Sequence, residues 1–231
     1  MIKKILKENY IYIILIVLLV IGLSIIMNLS IQDSIVSFDH KFINFLNRYN
    51  NETVSSILKF ITNFGDFYIP LFILVCIFIF VKNKYYFFIE AGGYLIAGII
   101  TYISKLLASR SRPLEALIKI PNSYSFPSGH TLTSIVFYGL LFYLISVHSS
   151  RPVKIISFII CLLIICVVAI SRIYLGVHYF TDVVGGFIIG IPCLMMIINI
   201  IEKNFKEKLW KHCYLKVEEQ KVLMKLVQLK H

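Results

Sequence analysis

Apolar residues dominate long stretches of this chain, and polar residues gather in the gaps between them. Apolar runs lie at about 10–29, 67–81, 86–107, 130–147, 153–170 and 181–201. A helix needs roughly 20 residues to cross the hydrocarbon core of a bilayer. Inside that core every backbone N–H and C=O must be paired within the segment, which a helix achieves. The pattern therefore predicts an all-α integral membrane fold with six transmembrane helices. The second run is short for a span unless residues 61–66 extend it. No internal repeat and no low-complexity linker divides the chain, so one membrane domain over residues 1–231 is expected.

Residues 31–66 follow a different rhythm. Ile35, Phe38, Phe42 and Leu46 recur at helical spacing, and so do Val54, Ile57, Leu58 and Ile61. This predicts one or two amphipathic helices lying in the membrane interface. Two readings stay open: a segment packed over the bundle, or a rim through which lipid gains access. The loop 114–121 is similarly open between a gate and a plain connection.

Composition sharpens the class. Of 231 residues, 58% are hydrophobic and only 15% are charged, too few charges for a soluble domain of this size. The net charge of +11 would suggest nucleic acid on a soluble protein. Here no basic-aromatic nucleic-acid motif appears, and the charges follow the loops. Lys3, Lys4 and Lys7, then Lys82 and Lys84, then Arg151 and Lys154, fall on one side of a six-span topology. The basic tail 202–231 falls there too, so the positive-inside rule makes that side cytoplasmic, with both termini. The first run could instead be a signal peptide, but it is long for one and no A-x-A-like site follows, so an uncleaved span is expected. Cys76, Cys161, Cys166, Cys193 and Cys213 form no C-x-x-C pair, so neither a disulfide framework nor a zinc site is expected.

Basic residues on the opposite face break this rule. Lys105, Arg110 and Arg112 end the third span in "KLLASRSRP". Ser128, Gly129 and His130 open the fourth in "SFPSGH". Arg172, His178 and Asp182 close the fifth and open the sixth in "SRIYLGVHYFTD". About forty residues, two spans, separate His130 from Arg172, so the topology returns all three islands to one membrane surface. Each island alone is weak, because an arginine at a span end is usually a snorkelling anchor. That plain reading is kept for Tyr174, Tyr179 and Arg110.

Lys105, Arg112 and Arg172 are cations with no acidic partner nearby in sequence, and an anion would fill such a cluster. Arginine forks match phosphate oxygens. Ser128 suits a helix N-cap, Gly129 lets a ligand approach the backbone, and the free N–H groups of a helix start bind anions. His178 and Asp182, four apart, would share a helix face. A carboxylate on Nδ1 fixes the tautomer and frees Nε2 as a nucleophile. His130, beside the phosphate-binding turn, is placed to protonate a leaving oxygen. The cations would stabilise the transferring phosphoryl group.

At these residues the sequence resembles the type 2 phosphatidic acid phosphatase (PAP2) family. Its signature is K-x6-R-P, here Lys105 to Arg112-Pro113; P-S-G-H, here Pro127 to His130; and S-R-x5-H-x3-D, here Ser171-Arg172, His178 and Asp182. The resemblance implies a PAP2/haloperoxidase-like helical bundle and a metal-independent hydrolase, with no cofactor, acting on a lipid phosphate at the outer face. It implies His178 as a nucleophile forming phosphohistidine, Asp182 as its orienting group and His130 as the acid. Lys105, Arg112, Ser128, Gly129 and Arg172 would hold the phosphate. The residues agree, since no carboxylate pair sits beside the motifs. "YSFPSGHT" and "SRIYLGVHYFTDVVGG" look most like bacterial phosphatidylglycerophosphate phosphatases of the PgpB type. Undecaprenyl-diphosphate phosphatases of the BcrC type often carry Asp where Gly129 stands. The expected partners are the bilayer and a phosphatidylglycerophosphate-type or phosphatidic acid substrate, with no nucleic acid. Undecaprenyl diphosphate is the alternative substrate, and a lipid-phosphate binding protein or transporter is the alternative of another class. Paired repeats or broken helices would favour a transporter, and the sequence shows neither.

Overall fold

A computed structural model describes residues 2–28, 32–48, 51–147 and 149–204, and among these residues the chain is entirely helical outside its turns and loops. Most of the basic tail, 205–231, and Cys213 lie outside the described residues. The elements in chain order are α1 (Ile2–Asn28), α2 (Gln32–Asn47), α3 (Glu52–Ile61), a 3-10 turn (Thr62–Gly65), α4 (Tyr68–Phe80), α5 (Tyr85–Ala108), α6 (Gly129–Val147), α7 (Arg151–Tyr174) and α8 (Phe180–Asn204).

Helices α1, α5, α6, α7 and α8 are each long and apolar enough to cross a membrane. The short second run resolves as a broken element. Glu52–Gly65 and Tyr68–Phe80 meet at a bend of 48°, the geometry of a broken span or a re-entrant loop, and this is a broken helix that the sequence did not show. Asp66 marks the break: its backbone is extended and its N–H donates to the Asn63 carbonyl.

Helix α6 is the axis of the bundle, packed against α5, α7 and α8. Leu132, Val136, Leu140, Ile189 and Cys193 form part of one closed core along it. Small residues let these helices approach, as is usual in membranes where no water drives the helices together. A Cβ on Gly190, for example, would stand 3.3 Å from Ile135 Cδ1. Outward-facing Ile14 and Leu18 of α1 and Ile155, Ile156 and Ile159 of α7 are exposed, as lipid-facing positions should be.

The amphipathic segment forms two helices that pack over one end of the bundle. Ile43 of α2 joins Ala169, Ile173, Tyr179 and Val183 of α7, α8 and the loop between them. Leu58 of α3 packs on Tyr174, Leu175 and Val177. Ile35, Phe42 and Leu46 of the expected stripe pack against the bundle, Phe38 is exposed, and Asp39 and Ile43 are the buried positions. Residue 39 is buried because its carboxylate has a partner, which an apolarity pattern does not register.

The loop between α7 and α8 turns at Gly176, whose φ is +69°. A Cβ there would also collide with the Glu115 carbonyl oxygen. Gly176→Ala therefore combines left-handed strain with a backbone clash and should cost about 1–3 kcal/mol. A lowered Tm of the detergent-solubilised protein is the expected result, and an unchanged Tm contradicts it.

Candidate active site

The C-terminal ends of α5 and α7 and the N-terminal ends of α6 and α8 lie at one end of the bundle, and that is where all the candidate residues converge. Lys105 is in the last turn of α5. Arg112 lies in the loop that follows, Ser128 immediately before α6, and Gly129 and His130 in its first turn. Arg172 is in the last turn of α7, His178 lies between α7 and α8, and Asp182 is in the first turn of α8.

His178 is 2% exposed and Asp182 fully buried. His178 Nδ1 stands 3.3 Å from Asp182 Oδ2. The pairing does not come from two positions on one helix face, as the spacing suggested. His178 precedes α8, and Asp182 folds back over the helix start, where the Tyr179 N–H donates to Oδ2 at 2.9 Å. The Ser125 hydroxyl donates to the same oxygen. On the other side of the ring, Arg112 Nη1 lies 3.1 Å from His178 Nε2. A guanidinium can only donate, so Nε2 presents its lone pair and Nδ1 carries the proton. Burial pushes the imidazole down to about 3, against the opposing pull of Asp182 and helped by the positive charge of Arg172 and Lys105. The ring is therefore neutral at physiological pH.

Backbone carbonyls hold Arg112 and Lys105, and a threonine hydroxyl holds Arg172. Arg112 donates from Nε to the Ser123 carbonyl at 2.7 Å and from Nη1 to the Val177 carbonyl at 2.7 Å. Burial holds its pKa below the ordinary arginine value, with the charge of Asp182 opposing. Lys105 Nζ donates to the carbonyls of Tyr124 and Ser125. Arg172 Nη1 donates to Thr62 Oγ1 at 2.8 Å, and its buried Nε has no partner among the described residues. The 3-10 turn thus reaches the site from outside the motifs. Gly65 in that turn lies against His130, since a Cβ there would stand 3.2 Å from His130 Cβ. His130 is within electrostatic reach of Arg172, His178, Lys105 and Arg112.

Ser128 ties the starts of α6 and α8 together, its N–H donating to the Asp182 carbonyl at 2.9 Å. Its hydroxyl accepts from Thr131 Oγ1 at 3.0 Å. At Gly129 a Cβ would stand 3.1 Å from Thr101 Cγ2 of α5, so close helix packing is what the missing side chain permits there.

Three residues read as interfacial anchors are buried instead. Arg110 is 3% exposed. It donates to Asp182 Oδ1 at 2.6 Å and to Asp39 Oδ2 at 2.7 Å. Burial lowers its pKa, but Asp182 and Asp39 outweigh that and hold it above the ordinary value. Tyr179 lies under its guanidinium, 4.2 Å from ring centroid to Cζ. Tyr174 accepts the Asn51 N–H at its hydroxyl, 3.1 Å away. A snorkelling anchor would have its polar tip in water, whereas Arg110 and Tyr174 hold theirs on protein partners. Asp39, Ser125 and Thr62 were not among the expected site residues.

Helical bundle and motifs together define a protein class. The PAP2 superfamily pattern matches residues 85–206, more than half of the chain, and the chain belongs to that family. Among named relatives it is 38% identical over 104 residues to Phosphatidylglycerophosphatase B of Bacillus subtilis, a match covering 43% of this chain and 51%, about half, of that protein. It is 28% identical over 189 residues to Undecaprenyl-diphosphatase of Sulfolobus acidocaldarius, covering 79% of this chain and 87% of the relative. In fold it is similar to a transmembrane PAP2 type phosphatidylglycerolphosphate phosphatase from Bacillus subtilis, with a TM-score of 0.72 at 24% identity over 85% of this chain and 97% of the other. Aquifex aeolicus LpxE is similar with a TM-score of 0.51 at 22% identity, over 68% of this chain and 93% of the other.

Proposed function

We propose that this chain is a membrane lipid phosphatase that cleaves a lipid phosphomonoester through a phosphohistidine at His178. The observation that carries the reading is the placement of the His178 ring between Asp182 and Arg112, which assigns its tautomer. Its Nδ1–H is aimed at buried Asp182, and its Nε2 lone pair is aimed at Arg112, where a phosphoryl group would lie.

In the first step Nε2 attacks phosphorus, the P–O bond to the lipid alcohol breaks, and His130 gives its proton to the departing oxygen. Asp182 stabilises the positive charge that develops on the ring. In the second step water attacks phosphorus, the N–P bond breaks, and His130 takes the proton of the water. Lys105, Arg112, Arg172 with its unpaired Nε, and the open N–H groups at the start of α6 would hold the equatorial oxygens. Ser128 and Gly129 shape that turn. The chemistry as written needs no metal. Among the described residues, no group of three or more His, Cys, Asp or Glu could hold one.

Phosphatidylglycerophosphate is the substrate we favour, on the strength of the Bacillus relative's name, with phosphatidic acid as another phosphomonoester lipid to test. Undecaprenyl diphosphate is the second reading, favoured by the longer match to Undecaprenyl-diphosphatase. The loop lysines and arginines support cytoplasmic termini and an active site on the outer face.

Purified protein assayed in EDTA against all three lipids tests this. Phosphate release undiminished by the chelator is expected, fastest from phosphatidylglycerophosphate. Fastest release from undecaprenyl diphosphate would move the assignment to carrier recycling. No release from any of them, with inorganic phosphate still bound, would favour a lipid-phosphate binding protein or transporter.

A further inference from the structure

We propose that Arg110 and Asp39, outside the residues assigned to phosphate and to chemistry, form a positioning pair that fixes the Asp182 carboxylate and through it His178. The inference rests on the phosphatase reading above.

Asp182 has two oxygens with separate duties. Oδ1 accepts from Arg110 Nη1 at 2.6 Å. Oδ2 carries the Ser125 hydroxyl, the Tyr179 N–H and His178 Nδ1. Anchoring Oδ1 sets the plane of the carboxylate, and that plane decides whether Oδ2 meets the imidazole edge. Arg110 is itself immobilised. Its second nitrogen donates to Asp39 at 2.7 Å, and its face lies on Tyr179. Asp39 is held in turn by the Thr181 N–H at 3.0 Å and the Thr181 hydroxyl at 2.6 Å. The result is a closed set of bonds across α2, the loop after α5 and the first turn of α8.

Charge gives Asp39 a second duty. A lone buried arginine on Asp182 would cancel the carboxylate that the forming imidazolium needs. Asp39 and Arg110 are 0% and 3% exposed, so solvent screens little of this. With Asp39 the trio carries one net negative charge, and Asp182 keeps its electrostatic effect on His178. Lysine cannot replace the bridge, because one ammonium lacks the planar fork that spans two carboxylates. This also gives α2 a role beyond covering the bundle: it delivers a carboxylate to the back of the site.

A double-mutant cycle separates positioning from scaffolding. Turnover of phosphatidylglycerophosphate in detergent micelles and inhibition by inorganic phosphate would be measured for wild type, Arg110→Gln, Arg110→Lys, Asp39→Asn, Asp182→Asn and Arg110→Gln with Asp182→Asn. We expect Arg110→Gln and Arg110→Lys to lower kcat on the order of 10²-fold and Asp39→Asn about 10-fold. KM and the inhibition constant for phosphate should stay within about three-fold, because the phosphate-holding groups are untouched. In the Asp182→Asn background Arg110→Gln should cost little more. An equal loss in both backgrounds, an unchanged kcat, or a rise in KM alone would overturn the inference. If Arg110→Gln elutes as aggregate, Asp39→Asn with and without Asp182→Asn completes the same cycle. Inactive wild-type protein would overturn the phosphatase reading and this inference together, whereas active protein with a failed cycle overturns this inference alone.

Discussion

His178→Ala is expected to lower kcat for lipid phosphate release on the order of 10⁴-fold or more. The protein should stay folded in detergent and keep its affinity for inorganic phosphate within a few-fold. The reason is that attack and binding are divided between different groups. Nε2 of His178 presents its lone pair beside Arg112, while Lys105, Arg112 and Arg172 are each also held by protein oxygens. Ser125 cannot take over as nucleophile, because its hydroxyl is committed to Asp182. The same variant gives a second readout. Wild-type protein incubated with a lipid carrying labelled phosphate and quenched in base should retain label in an acid-labile bond, and His178→Ala should retain none. Undiminished release by His178→Ala would remove the histidine mechanism, and label persisting on that variant would move the nucleophile elsewhere.

The residues carrying that prediction were legible in the sequence because their positions follow from chain length and bilayer thickness. A helix that crosses the membrane must come back, so Arg172 returns to the face of His130 whatever the packing. Helix ends were legible for a similar reason: the apolar runs stop where polar motifs begin. Asp39, Arg110 and Thr62 were not legible, because their meaning lies in contacts far apart in sequence. Arg110 sits between two motif cations and reads as one more interfacial arginine until Asp39 is placed beside it. One local signal did exist. Asp39 lies four residues after Ile35 and four before Ile43, on the stripe of α2 that turns toward the bundle. A charge on an apolar stripe must find a partner when it is buried, and a basic residue on the same membrane face was the available one. The tautomer of His178 was foreseeable only in part. The spacing to Asp182 suggested a shared helix face, whereas the contact arises from a helix start folding back on the preceding turn.

His130→Ala is expected to show a loss that depends on the leaving group. A lipid phosphomonoester releases an alkoxide, a poor leaving group that needs a proton as the P–O bond breaks, and general acid help of this kind is worth about 10²–10⁴-fold. p-Nitrophenyl phosphate releases a stable phenolate that needs none. Its first step should therefore survive in His130→Ala nearly intact. Its second step should not, because the water that cleaves phosphohistidine has lost its base. The variant should give a rapid burst of about one equivalent of nitrophenolate followed by a slow steady state, the sign of an accumulated covalent intermediate. With the lipid substrate it should give slow turnover and no burst, because the first step then limits. Both duties are proposed for His130 because it stands in the first turn of α6, beside Gly65 and next to the Ser128–Gly129 turn. Equal losses on both substrates without a burst would mean that His130 binds phosphate and moves no proton. Loss of affinity for inorganic phosphate in the same variant would point the same way.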